Sequence, residues 1–248
     1  MANDVLVKKT IVDITNNNVK NNPNNDVYKS FNDLIFSTDT KLVGKLLHRF
    51  EHFLNVKDIP GDIVELGVFK GSGMATFTKF IDIYAPNSNK KVVGFDIFDT
   101  SEADTVLNKD SAADKEAMEI VYNRVDNNEL SLASVTKRLV GTGISSDKYQ
   151  LVKGDVETSI VNFLNENPGF RISMLYIDVD LDRPTYFGLK HLWDRILPGG
   201  VILFDEYEYH KFTESNGVEK FFKEKGIDFG LKSTNWIAPT AFMYKKGF

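Results

Sequence analysis

The chain has 248 residues, enough to bury a sizeable core as one large domain or two small ones. A net charge of −5, with 42% hydrophobic and 26% charged residues, describes an ordinary globular protein and argues against a broad nucleic-acid-binding surface. There is no cysteine, which excludes disulfides, thiolate metal sites and cysteine nucleophiles.

In chain order, MANDVLVKKT lacks the apolar core of a signal peptide. No run approaches the roughly 18 to 20 apolar residues that span a bilayer, so a cytoplasmic location without membrane contact is expected. Residues 16–25, NNNVKNNPNN, form an asparagine-rich stretch expected to be a loop, tail or lid. It sets residues 1–37 apart as an N-terminal extension and leaves 38–248 as the main domain. From Thr38, Leu42, Val43, Leu46, Leu47, Phe50 and Leu54 recur at helical spacing, with Thr38 or Asp39 as cap and IPG (59–61) as terminator.

Strands and helices then alternate. DIVEL (62–66), KVVGFDI (91–97), YQLVKG (149–154), RISMLYIDV (171–179) and VILFDEY (201–207) are predicted strands. Helices are expected over 72–84, 103–124, 128–142, 157–166, 184–196 and 216–225. Pro184 suits a first helical turn, Trp193 is expected in the core, and LPGG (197–200) reads as a turn. The last two strands, about 227–234 and 240–246, lack a crossover helix and should pair as an antiparallel hairpin. This pattern predicts an α/β fold, a Rossmann-like doubly wound sheet of seven strands, parallel except for the C-terminal hairpin.

The chemistry gathers at strand ends, where doubly wound sheets bind ligands. IPGDIVELGVFKGSG places Glu65 at the end of the first strand, then Gly67, Gly71, Ser72 and Gly73 in the turn and helix start. Glycines there let a ligand approach the backbone, and the helix N–H groups suit an anion. Glu65 can accept from an ammonium group. Asp96 can hold ribose hydroxyls, with Phe95 and Phe98 beside an adenine. Asp155 is a third strand-end acid, or a helix cap. A ligand with an amino-acid end and a ribose would use all of these, and S-adenosylmethionine is such a ligand. In LYIDVDLDRP, Asp178, Asp180 and Asp182 stand at every second position. Extended backbone would crowd them on one face, so solvent or a cation must compensate.

IPGDIVELGVFKGSG, VVGFDIFDT, VKGDVETSI, YIDVDL and LPGGVILFDEY together resemble the macrocin O-methyltransferase (TylF/MycF-like) family over about residues 38–246. The resemblance implies a class I, S-adenosylmethionine-dependent, metal-dependent O-methyltransferase acting on sugar hydroxyls of small molecules. It implies a divalent cation on Asp178, Asp205 and Glu206, where the family often has two aspartates in place of Asp205–Glu206. Carboxylate ligands favour Mg²⁺, with Mn²⁺ or Ca²⁺ as alternatives. Asp180 would act from outside the ligand set or face the acceptor, and Asp182 would cap the next helix. Related catechol enzymes carry a lysine three positions after the first metal acid. Leu181 stands there, so His210 is the candidate base. The family also suggests a homo-oligomer. A nicotinamide-dependent oxidoreductase and a non-catalytic binding module are the alternatives; the first lacks the Gly-x-Gly-x-x-Gly spacing.

Overall fold

The computed structural model describes residues 27–99, 106–228 and 230–247. The asparagine-rich stretch and most of the expected extension or lid therefore lie outside the described residues. The chain divides into two compact units between Val43 and Gly44.

In the first unit, helix α1 (Val27–Ile35) is followed by the start of helix α2 (Thr40–Val56). Asp39 caps α2, its carboxylate accepting from the Lys41 N–H at 2.8 Å.

The second unit holds the rest of α2 and a seven-stranded sheet. Its strands are β1 (Asp62–Leu66), β2 (Val92–Asp96), β3 (Tyr149–Lys153), β4 (Ile172–Ile177), β5 (Ile196–Phe204), β6 (Lys232–Ser233) and β7 (Ala241–Tyr244). The order across the sheet is β3-β2-β1-β4-β5-β7-β6. The first five strands are parallel; β7 pairs antiparallel with both β5 and β6. The predicted sheet and closing hairpin are thus present, with a much shorter β6 than the sequence suggests.

Strand alternation sorts the core onto two faces. Leu175, Ile177, Ile202 and Phe204 pack with helices α7 (Val156–Glu166), α8 (Asp182–Leu192) and α9 (Glu214–Lys225). Met174, Tyr176, Val201 and Leu203 face the other way. They pack with α2, helix α3 (Ser72–Tyr84) and helix α6 (Leu132–Val140). Between β2 and β3 lie helices α4 (Ala112–Tyr122) and α5 (Asn127–Leu130) before α6. Trp193 is buried against Phe221 and Phe222, as expected of a core residue.

Three local expectations are corrected. The helix read over 128–142 is broken at Ser131, whose extended backbone starts α6 and whose hydroxyl accepts from the Ser134 N–H. The helix read over 184–196 begins earlier, at Asp182, and tightens to a 3₁₀ turn over Trp193–Arg195. LPGG is part of β5 rather than a turn before it. Gly199 N–H donates to the Lys245 carbonyl and Lys245 N–H to that of Gly200, while the β4–β5 register shifts to absorb the extra residues.

Candidate active site

The turn after β1 builds a cradle from backbone. Gly67 adopts φ +85°, its N–H donates to the Phe95 carbonyl, and a β-carbon there would collide with the Asp178 carbonyl. Gly71, at φ +87°, precedes α3 without offering a side-chain cap, so the first-turn N–H groups beginning at Ser72 have no side-chain acceptor. Ser72 itself is exposed. Gly73 faces Glu65, which is fully buried with its Oε2 lacking any hydrogen-bond partner. Burial pushes the Glu65 carboxyl up to about 8, with the nearby Arg49 charge offsetting part of the rise.

Asp96 closes the cradle from the next strand. Its Oδ2 accepts from the N–H groups of Val68 (2.8 Å) and Phe69 (2.9 Å), and its Oδ1 from that of Phe98 (3.0 Å). It pins the glycine turn while standing at the end of β2. Phe95 is fully buried and packs edge-on against Phe163, so it belongs to the core and not to a pocket wall. Asp155 caps α7, its carboxylate accepting from the Glu157 N–H and lying 2.9 Å from Lys109 and 3.4 Å from Arg183. Burial works to raise its pKa, but the Lys109 hydrogen bond, the Glu157 amide and Arg183 hold it below the usual carboxylate range.

The acidic cluster sits next door. Asp178 N–H donates to the Leu66 carbonyl and Asp205 N–H to the Ile177 carbonyl, so these residues ride on the adjacent ends of β1, β4 and β5. Lys45 Nζ reaches both carboxylates, 2.9 Å from Asp178 Oδ2 and 2.8 Å from Asp205 Oδ2. Tyr176 donates its hydroxyl to Asp205 Oδ1. Arg49 Nη2 lies 3.6 Å from Asp178 Oδ2 and 3.7 Å from Glu65 Oε1, linking the cluster to the cradle. The Arg49 guanidinium also lies over the Tyr176 ring, 4.6 Å from its centroid.

Burial alone would raise Asp178, but Lys45 and Arg49 hold it below the ordinary value. Asp205 is raised to about 6 by burial and by the charge of Asp178. Asp180 has φ +64°, its carbonyl accepts from the Thr213 N–H, and burial with the charges of Asp178, Asp205 and Glu206 raises its carboxyl well above the usual range. Glu206 is buried, and its N–H donates to Glu214 Oε1 at 3.2 Å. Glu214 is itself fully buried, with Oε2 unpartnered.

Asp182 does not cap α8: the capping position is Leu181, without a side-chain bond, and Asp182 N–H donates to Thr213 Oγ1 at 2.8 Å. His210 is exposed in the turn after β5, its ring beside Tyr209. Among the described residues, no three Asp, Glu or His side chains are gathered so as to hold a metal ion. Asp178 and Asp205 are drawn together instead by the ammonium of Lys45.

Lys45, Arg49 and Glu214 escape the sequence reading. In α2 the leucines that carry the apolar rhythm are largely exposed (Leu42 57%, Leu46 42%, Leu47 59%), whereas Arg49 is 5% exposed and His52, Phe53 and Val56 are buried. Lys45 and Arg49 stand four apart, on one helical stripe with Phe53 and Val56. That stripe was the available signal.

Residues 37–246 match the macrocin O-methyltransferase (TylF) family. The chain belongs to that family. It is an O-methyltransferase that uses S-adenosylmethionine as methyl donor. Among curated relatives it is similar to mycinamicin III 3''-O-methyltransferase of Micromonospora griseorubida, with 25% identity over 185 residues covering 72% of this chain and 70% of the relative. It is also similar to 8-demethyl-8-(2,3-dimethoxy-alpha-L-rhamnosyl)-tetracenomycin-C 4'-O-methyltransferase of Streptomyces olivaceus. There the identity is 25% over 150 residues, 60% of this chain and 54% of the relative. Its fold matches that of the calicheamicin methyltransferase CalS11, with TM-score 0.68 and 22% identity over 94% of this chain and 91% of that one. The O-methyltransferase NovP matches with TM-score 0.64 and 18% identity over 82% and 79%. The sheet order and its antiparallel last strands are thus a class I methyltransferase fold.

Proposed function

We propose that this family member methylates a hydroxyl of a sugar or sugar-containing small molecule, with a divalent cation at the acidic cluster. The observation that carries this reading is the pairing of Asp178 and Asp205 around one positive charge, beside a cradle for the methyl donor. The Streptomyces olivaceus relative is named for a rhamnosyl-tetracenomycin and CalS11 is described as a TDP-rhamnose 3'-O-methyltransferase, which supports a sugar-type acceptor.

The cradle fits S-adenosylmethionine. Glu65 Oε2 lies buried without a partner, and a β-carbon at Gly73 would fill its space. The α3 N-terminus lacks a side-chain cap. Glu65 would take the donor's ammonium group, the amides from Ser72 onward its carboxylate, and Asp96 its ribose. Gly67 and Gly71 keep the backbone close, and Asp155 supports the rim through α7. The donor supplies a methyl group on a sulfonium centre.

Asp178 and Asp205 fit a hard cation by their donor chemistry, and the Lys45 ammonium between them supports a position suited to positive charge. Glu206 would supply a third carboxylate only by turning towards the pair, since no three acidic or histidine side chains are gathered there among the described residues. Bound there, Mg²⁺ would supply Lewis acidity, lowering the pKa of an acceptor hydroxyl and orienting it. The chain's own part is to place the acceptor oxygen in line with the methyl group and to take its proton. Asp180 suits the second task better than His210. It shares the strand-end cluster, while His210 is exposed on the following turn.

Calorimetric titration of S-adenosylmethionine, followed by Mg²⁺-dependent turnover of nucleotide-linked and free vicinal-diol sugars, tests this function. Donor binding with cation-dependent methylation of a sugar is expected. Turnover unchanged by a chelator would remove the cation, and turnover confined to phenolic acceptors would remove the sugar.

A further inference from the structure

The metal reading leaves one group unexplained: a lysine from α2 occupies the space between the two carboxylates. Lys45 Nζ makes hydrogen bonds of 2.9 Å and 2.8 Å to Asp178 Oδ2 and Asp205 Oδ2. These are the same oxygens a cation shared by the pair would use. Divalent cations sit about 2.0–2.6 Å from carboxylate oxygens. An ion reaching both oxygens would therefore lie within contact distance of the ammonium, with like charges opposed in a poorly solvated place.

Lys45 is also held in position. It shares a helical stripe with Arg49, which is buried over Tyr176 and against Glu65 and Asp178. Tyr176 fixes Asp205 from the opposite oxygen. Without Lys45, Asp178 and Asp205 would face each other with Arg49 as the remaining cation recorded against them.

We propose that Lys45 is the resident cation of the Asp178–Asp205 pair, and that a divalent ion enters only by displacing it. The inference deepens the proposed metal site and rests on it. Lys45 then sets metal affinity: it places one positive charge between the two carboxylates in the resting protein and makes the cation site weak by exchange, since entry requires the α2 side chain to swing out.

The test is calorimetric titration of Mg²⁺ alone into the full chain, wild type against Lys45→Met and Lys45→Gln, with Asp178→Asn as control. Removing the competing ammonium should tighten Mg²⁺ binding by about tenfold or more, and Asp178→Asn should abolish it in either background. Equal or weaker binding in both Lys45 variants overturns the proposal. If neither wild type nor variants bind Mg²⁺, thermal unfolding of Lys45→Met, Asp205→Asn and the double variant separates the two ideas. Non-additive shifts would then leave Lys45 as the cation of the pair, while the lack of Mg²⁺ binding overturns both the metal reading and the exchange. Additive shifts overturn the proposal.

Discussion

Gly73 and Glu65 face each other across the cradle so closely that a β-carbon on Gly73 would overlap Glu65 Oε1. The absent side chain on α3 is what lets the buried carboxylate stand under the helix N-terminus. Gly73→Ala should push Glu65 aside at a cost of about 1–3 kcal/mol in stability, the usual effect of overpacking. S-adenosylmethionine affinity should fall at least about tenfold. Calorimetry with a parallel thermal melt checks both; unchanged affinity would show that Glu65 does not hold the donor.

Asp180 and His210 divide cleanly as candidate bases. Asp180→Asn should lower kcat by about 10²–10⁴-fold, the range for loss of a general base, with donor binding retained. His210→Ala should leave turnover within about twofold. The reverse result would return the role to the exposed imidazole.

Tyr176 is fully buried and its hydroxyl reaches Asp205. Tyr176→Phe removes the donor and leaves Asp205 Oδ1 without this partner. A loss of about 1–3 kcal/mol is expected in urea unfolding. Loss of the ring's polar anchor should also weaken Mg²⁺ binding, because Asp205 is then free to turn. Unaltered unfolding would show that the hydroxyl is satisfied elsewhere.

His52 makes an acid-sensitive contribution within α2. It is 2% exposed, packed 4.4 Å from the Phe242 ring, and burial lowers its pKa to about 4, with Glu51 opposing the shift and His48 adding to it. The folded protein thus binds this proton less readily than the unfolded chain, whose histidine titrates near 6.5. The stability is complete above about pH 6.5 and is lost as pH falls towards 4. His52→Phe should remove about 2–3 kcal/mol of the loss between pH 7 and pH 4.5. Urea melts at the two pH values measure it, and equal acid losses in both proteins would count against a buried neutral imidazole.

Gly44 packs under Trp236, where a β-carbon would meet the indole ring. Gly44→Ala should shift the ring or the helix and cost about 1–3 kcal/mol despite alanine's better helix propensity. A gain in melting temperature would show that the contact relaxes freely.

The sheet and the address of the chemistry are legible along the chain. Alternating apolar runs mark β1 to β5 because strand burial has a short, local period, and the motifs place Glu65, Asp96, Asp178 and Asp205 at strand ends because strands stop where polarity begins. Which charges meet depends on packing across the fold. Lys45 lies 133 residues from Asp178 and 160 from Asp205, and no local pattern records such a pairing. The apolar rhythm of α2 pointed to its leucines, yet the inward stripe carries half-buried Lys45 and buried Arg49, because carboxylates crowded at the ends of the central strands need positive charge beside them. The same holds for LPGG, a turn by composition but part of β5 in fact, since Lys245, just past β7, pairs with Gly199 and Gly200 while Gly199 at φ +81° absorbs the irregularity.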